Sequence, residues 1–357
     1  MNLKKIIIAL TCISIAHGAF AESVTEKITK AKSEMKTQLS AVSDSLLKEF
    51  EVILPETNSL SGIQPDAYIG KVFPSVPPHF AAGINVSITP VNASFISSNF
   101  NSLTAAISTM LKDTDAIADN LDLALAFQFP DKLPYPAASV SARVGGLFLP
   151  FDIGLWGITT GKIFHNKSIG NSPLFDFEYT SLGADLRYAV IEGKGLFPKI
   201  SVGAGYQFVR QNVGMSFSKG FVFDSGYQDP DGKPITGAAT LAPSINLMVD
   251  THTFFGQIQV SKTILILTPY LGLKALFTTS NCSYKWKYDT FINDEKYDWL
   301  SDGDEKQVTH TVSDNGIQTQ IFGGLGLNFA IFQTSLNVAY NFSSKLFTGS
   351  LGMNIKL

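Results

Sequence analysis

The sequence predicts an all-β membrane protein: an antiparallel transmembrane β-barrel of about twelve strands, with an N-terminal amphipathic helix and a second helical segment near the start of the barrel. Three observations predict it. The chain opens with an export signal, it is apolar without any stretch that would form a spanning helix, and apolar and polar residues alternate along many strand-length segments.

The export signal comes first. Lys4 and Lys5 precede an apolar stretch at 6–15, and Ala19-Phe20-Ala21 places small residues where a signal peptidase reads. Cleavage is expected after Ala21. The stretch is too short to anchor the chain, because a spanning helix needs roughly 20 apolar residues. Cys12 follows Thr11, a poor residue for lipoprotein processing. The expected organisation is a signal peptide at 1–21, a helical periplasmic or plug segment at 22–60 and a barrel at 61–357.

Composition narrows the class. Removing 1–21 takes away two lysines and no acid, so the formal net charge moves from −3 to −5. A nucleic-acid partner wants a basic surface, and none is expected. After cleavage Cys282 is the only cysteine, so the mature chain has no internal disulfide. Charged residues make up 16%, mean hydropathy is +0.15 and there are 27 phenylalanines, too apolar to cover a soluble surface of this size. No mature segment reaches the roughly 18 consecutive apolar residues of a spanning helix. Barrel strands resolve this, since only every second residue meets lipid.

The period-2 signal is clearest at 199–208. Ile200, Val202, Ala204, Tyr206 and Phe208 alternate with Lys199, Ser201, Gly203, Gly205 and Gln207. Segments 181–190, 335–342 and 350–357 repeat it. Segments 82–90, 121–129, 137–148, 254–260, 264–278 and 316–329 follow less cleanly, 151–160 is mixed, and a first strand is expected within 67–73. Runs of about 9–11 residues suit a tilted crossing better than sandwich strands of about five or six. Short connections near 148–151, 192–198, 261–264 and 330–333 alternate with long ones at 161–174, 217–243 and 280–315, as periplasmic turns alternate with external loops; the short turn at 343–346 departs from that rhythm.

Two segments carry a helical period instead. At 22–50, Val24, Ile28, Ala31, Met35, Leu39, Val42, Leu46 and Phe50 form one apolar stripe. At 101–118 a weaker stripe runs through Leu103, Ile107, Met110, Leu111 and Ile117. Each either lies at the barrel mouth or plugs the lumen. Loosely tied termini favour the mouth for the first helix; the second has less freedom, lying between two strands.

The signal peptide, the strand–turn rhythm and an apolar last residue, Leu357, together resemble bacterial outer-membrane β-barrel proteins over roughly 80–357. The resemblance implies an outer-membrane location, a lipid bilayer as partner and insertion by the barrel-assembly machinery. A helical segment before the barrel also resembles the FadL-type transporters, whose N-terminal residues plug the lumen; that implies a small solute or hydrophobic ligand. FadL-type barrels usually have more strands, and none of their motifs maps onto individual residues here.

The strand phases place Asp122, Arg143, Asp185, Arg187, Lys199, Gln207, Gln257, Gln259, Lys274, Gln318, Gln320, Asn328, Asn337 and Lys356 on the lumen face. Either they line a wet path or they pair and close it, Asp185 and Arg187 being two apart on one face. Basic residues outnumber Asp122 and Asp185, with Asp152 joining the acids if its strand keeps phase, so a conducting pore would favour anions. Lumen-facing glycines leave space for water or a helix. Tyr284, Trp286 and Tyr288 read as an interfacial girdle, the acids of 289–305 as a solvated loop tip, and Asp229-Pro230-Asp231-Gly232 as a turn.

Catalysis has no constellation. No His-x-Ser occurs, His310 and Ser313 fall on opposite strand faces, and no histidine spacing makes a metal site. No cofactor is expected. The sequence therefore points to passive diffusion or uptake of small solutes through a polar lumen, with a surface adhesin or interaction protein on a closed barrel as the alternative.

Overall fold

The computed structural model describes residues 33–50, 63, 66, 79–92, 94–99, 101–102, 105, 131–146, 151–161, 174–193, 195–216, 219–228, 234–292, 295–296, 302–304, 310–313 and 317–356. Its strands are β1 (His79–Asn92), β2 (Lys132–Gly145), β3 (Phe151–Thr159), β4 (Leu174–Glu192), β5 (Lys199–Ser216), β6 (Lys219–Gln228), β7 (Pro234–Ser261), β8 (Leu267–Ile292), β9 (Glu295–Lys296), β10 (Asp302–Asp304), β11 (His310–Ser313), β12 (Gln318–Phe329), β13 (Phe332–Asn341) and β14 (Phe347–Lys356). Ten of them close a ring in the order β1-β2-β3-β4-β5-β7-β8-β12-β13-β14, with β14 bonded back to β1 and every pairing antiparallel. The remaining four extend the wall: β6 pairs with β7, and β9, β10 and β11 pair with β8.

Ten strands, not twelve, is the first correction. β1 is hydrogen-bonded on both edges, with Val86 opposite Leu351 of β14 and opposite Ala138 of β2. The wall therefore has no open edge for the two further strands expected at 67–73 and 121–129, which lie outside the described residues. Alternation is a local property and carries no information about whether a neighbouring edge is vacant.

The short connections gather at one end. Gly193 and Gly195 take the left-handed conformation between β4 and β5, and Leu265 and Ala330 do so between β7 and β8 and between β12 and β13. At the other end the expected long loops at 217–243 and 280–315 are in large part strand. β7 runs for 28 residues and β8 for 26, paired from Ser261–Tyr270 to Ala239–Ile292. The Asp229–Gly232 tetrapeptide lies between β6 and β7, which pair with each other.

The exterior of this long wall changes character along its length. Cross-strand register sets Ala184, Tyr206, Phe254 and Phe277 in one outward row, and Leu182, Phe208, His252 and Thr279 in the next. Toward the short turns the outward residues are apolar and exposed, among them Val202, Ile258, Leu271, Leu273, Leu336 and Leu351. One row in the other direction stand Thr180, Arg210, Asp250 and Asn281. An apolar belt that gives way to charge along the same strands marks where the wall leaves lipid for water.

The interior makes the opposite change. Near the short turns it is polar; farther along it is apolar, through Phe177, Tyr179, Val209, Val213, Met215, Ile245, Leu247, Val249, Tyr284, Trp286 and Tyr288. These residues form one core cluster with Met35, Leu39, Val42, Leu46, Leu47 and Phe50 of the helix at 33–50. Leu39 and Leu46 are completely buried. The helix at 33–50 thus packs against the inner face of the extended wall. Ile96, in a helix at 94–99 that precedes the expected second helical segment, joins the same cluster, and Phe95 packs edge-on to Phe50 with ring centroids 5.6 Å apart. The stripe expected at 101–118, Leu103, Ile107, Met110, Leu111 and Ile117, lies outside the described residues.

Tyr284, Trp286 and Tyr288 correct the expected girdle. They share the inward parity of Lys274, Thr278 and Cys282 on β8, and their rings face the helix instead of the bilayer. Trp286 and Tyr288 stack at 6.3 Å, and the Lys36 ammonium lies 6.0 Å from the Trp286 ring.

The polarity change generates a test on a single strand. Leu271→Arg, in the belt, is expected to cost about 2–4 kcal/mol in urea unfolding from lipid, whereas Asn281→Arg on the same face of β8 should leave the midpoint unchanged. Equal effects at the two positions would remove the assignment of the belt.

Candidate functional site: a filled lumen

Among the described residues, side chains meet across the lumen at three levels. Near the short turns, Arg143 of β2, Asp152 of β3, and Asp185 and Arg187 of β4 lie within one patch of inner wall. Arg143 donates to Asp152 at 2.5 Å and to Asp185 at 2.6 Å; Arg187 donates to both oxygens of Asp152, at 2.9 and 2.7 Å. All four are essentially inaccessible to water. Two guanidiniums and two carboxylates make the cluster neutral, which is what allows it to be dry: an unpaired charge there would carry a desolvation penalty of several kcal/mol.

Asp66 and Ile63 lie in the lumen at this level. The Asp66 backbone carbonyl accepts from Arg187 at 3.0 Å, and both its carboxylate oxygens accept from Lys199 of β5 at 3.0 Å. Lys356 of β14 lies 4.0 Å from the same carboxylate. Ile63 packs against Tyr270, Phe322 and Ala339, which belong to β8, β12 and β13. Ile63 and Asp66 therefore tie opposite arcs of the wall together.

At mid-height aromatic rings meet across the interior. Trp156 of β3 and Phe255 of β7 have centroids 6.2 Å apart and share a cluster with Leu276. Lys274 lies over Phe255 at 4.7 Å and over Phe322 at 5.6 Å. The inward glycines make room for these groups. A Cβ at Gly183 would fall 2.2 Å from the Trp156 ring, and one at Gly272 would fall 2.3 Å from the Phe322 ring. The space that glycine leaves beside the wall is filled by aromatic side chains.

Above this level the helix completes the filling. Tyr135 of β2 donates its hydroxyl to Gln211 of β5, a short contact made across β3 and β4.

Several of the other expected lumen residues are hydrogen-bonded to neighbouring wall residues. Gln207 donates to Ser181 at 3.2 Å, and Gln318 accepts from Asn341 at 3.0 Å. Asn328 donates to Thr268 at 2.8 Å and accepts from Gln333 at 2.7 Å. Asn337 accepts from Tyr270 and donates to Ser350 at 2.8 Å. Gln259 and Gln320 are buried, while Gln257 is half-buried. Asp122 lies outside the described residues. The expected basic lining does not hold, because Arg143 and Arg187 are neutralised by Asp152 and Asp185 and Lys199 is met by Asp66. Asp66 was missed, having no strand phase to reveal it. Asp152 was legible only through Ile153 and Leu155, whose outward parity on β3 sends Asp152 inward.

Outside the belt, Arg210 pairs with Asp250 at 2.7 Å, and that hydrogen bond and charge raise the guanidinium pKa further above its ordinary value. Tyr206 and His252 are hydrogen-bonded at 2.7 Å. His310 and Ser313 lie on β11, which is not part of the ten-strand ring. Among the described residues no group of three or more His, Cys, Asp or Glu side chains is placed to hold a metal ion.

No family model and no curated protein matches the chain. Solved outer-membrane barrels resemble it distantly. The outer membrane protease OmpT of Escherichia coli is 8% identical with a TM-score of 0.35, covering 80% of this chain and 97% of that one. The translocator domain of the autotransporter NalP from Neisseria meningitidis is 9% identical with a TM-score of 0.29, covering 92% and 96%. A Pseudomonas aeruginosa FadL homologue is 9% identical with a TM-score of 0.24, covering 81% and 94%. Likenesses this low carry no functional argument; the barrel itself rests on the strand pairing.

Two substitutions probe the filling. Asp152→Asn removes the charge shared by two buried guanidiniums and is expected to destabilise the barrel by about 3–5 kcal/mol in denaturant titration. Gly183→Val drives a side chain into Trp156 and should cost about 1–3 kcal/mol. Wild-type midpoints for both would mean that the inner wall faces open water.

Proposed function

We propose that the chain is a bacterial outer-membrane barrel, sealed by its own N-terminal segment, which serves as a mount for the wall that extends beyond the bilayer. The observation that carries this reading is the filled lumen: a neutral, dry Arg143–Asp152–Arg187–Asp185 cluster at one level, crossing aromatics at the next, and the helix at 33–50 above. A diffusion pore needs a continuous wet path, and the paired charges, crossing aromatics and helix that occupy the described lumen leave little room for one. The expected export signal, the apolar belt and the polar outward face of β5, β7 and β8 beyond it support placement in an outer membrane with the extension facing outward. The interaction-protein reading is thus favoured over passive diffusion, and the charged, hydrogen-bonded outer wall is the surface available to a partner.

Planar-bilayer recording of the mature chain tests this directly. The wild-type protein should insert without steady conductance, and a chain lacking 22–66 with Arg187→Gly should conduct in steps. Stepwise conductance by the intact mature chain would return the pore reading to first place.

A further inference from the structure

We propose that the short turns joining β4 to β5, β7 to β8 and β12 to β13 form an apolar rim that dips into the phospholipid leaflet on their side and anchors the barrel there. The three turns adjoin, because β5, β7, β8 and β12 are neighbours in the wall. Lys262 donates its ammonium to the carbonyls of Gly195 and Phe197, at 2.9 Å to the second, which ties the β4–β5 turn to the β7–β8 turn. The Asn328 backbone N–H donates to the Ile266 carbonyl at 2.7 Å, which ties the β7–β8 turn to the β12–β13 turn. Along this rim Leu196 is 96% exposed, Leu265 94% and Phe197 70%, with Ile266 and Ile331 exposed beside them.

Two observations point to lipid. The first is backbone strain kept at the tips. Ile264 and Leu267 pair around Leu265-Ile266, and Phe329 and Phe332 pair around Ala330-Ile331, so each of these turns is as tight as a hairpin allows. Leu265 has φ 53° and Ala330 φ 51°, in the left-handed region where such turns favour glycine or asparagine. A leucine there is strained and, in water, gains nothing from its exposed side chain. The short turn at the opposite end, with Lys345 at φ 58°, carries Ser343, Ser344 and Lys345 instead. Apolar tips thus belong to one end of the wall and not to its turns in general. The second observation is continuity with the belt. At roughly 3.3 Å per residue and a tilt of about 40°, the stretch of β7 from the His252 row to Ser261 rises on the order of 25 Å, the height of a barrel's apolar band. The turns begin where that band ends, so their tips reach the glycerol and headgroup layer. On the outward face of β8, Leu273, Leu271 and Leu267 lead into the turn with no polar residue between them. An exposed apolar patch marks a contact surface, and one continuous with the lipid belt is covered by lipid.

Anchoring by the rim does not depend on whether the lumen conducts. Cysteine variants of the mature chain in phospholipid nanodiscs test it, because both faces of a disc meet water and no partner protein is present. Cys282 is buried, so the wild-type chain supplies the unreactive baseline. Lys287→Cys, exposed on β8 far past Thr279, supplies the water-facing reference. A charged, water-soluble maleimide should label Leu265→Cys and Leu196→Cys about tenfold more slowly than Lys287→Cys, since thiolate and reagent are both excluded from an apolar layer. The two rim sites lie on separate turns, so if one variant fails to fold the other still reports. Labelling of the rim sites in discs as fast as that of Lys287→Cys overturns the proposal. Equally fast labelling in open fragments of the native membrane would then place the tips in water, whereas protection there alone would assign the rim to a protein partner.

Discussion

A closed ring of strictly alternating strands has one inside and one outside, and every side chain is assigned to one or the other without appeal. The environments on the two sides, however, change along the strand. Outside, lipid gives way to water just beyond Phe208 and His252. Inside, a polar section gives way to one filled by a helix. A residue such as Val202 is apolar because lipid faces it; Val213, on the opposite face of the same strand, is apolar because Leu39 and Leu46 share its core cluster. The same alternation thus runs through both halves of β5 with the meaning of each face reversed.

That reversal explains how so long a wall remains stable beyond the membrane. Strands standing clear of lipid need a core, and ten strands enclosing water would have none. The stripe of Met35, Leu39, Val42 and Leu46 supplies it, with Trp286 and Tyr288 on the wall side. Burial of large apolar side chains contributes about 1.5–3 kcal/mol each. Nearer the short turns the interior cannot be apolar all round, and charge is neutralised in place. Arg143, Asp152, Asp185 and Arg187 satisfy one another, and Asp66 brings the one carboxylate that Lys199 and Lys356 share.

The misreadings have a common origin. Tyr284, Trp286 and Tyr288 resemble a girdle because aromatic clusters near a strand end usually meet headgroups; counting parity from Lys274 along an unbroken β8 assigns them inward. The basic lumen followed from leaving Asp152 conditional, on a strand whose pattern Gly154 and Gly157 interrupt, and from not counting Asp66. Two surplus strands followed from alternation at 67–73 and 121–129, where nothing local reports that β1 already has both neighbours.

By itself the sequence determined the class of fold, the phase of the clearest strands, the inward set around Arg143, Asp185, Arg187 and Gln207, and the amphipathic stripe at 33–50. These are properties of neighbours two to four residues apart, written in side-chain polarity. Only the tertiary structure decided how many strands close the ring, what fills it and which charges are left unpaired. Those depend on contacts such as Arg187 with Asp66 and Trp156 with Phe255, made between residues about a hundred positions apart and brought together by the curvature of the closed wall.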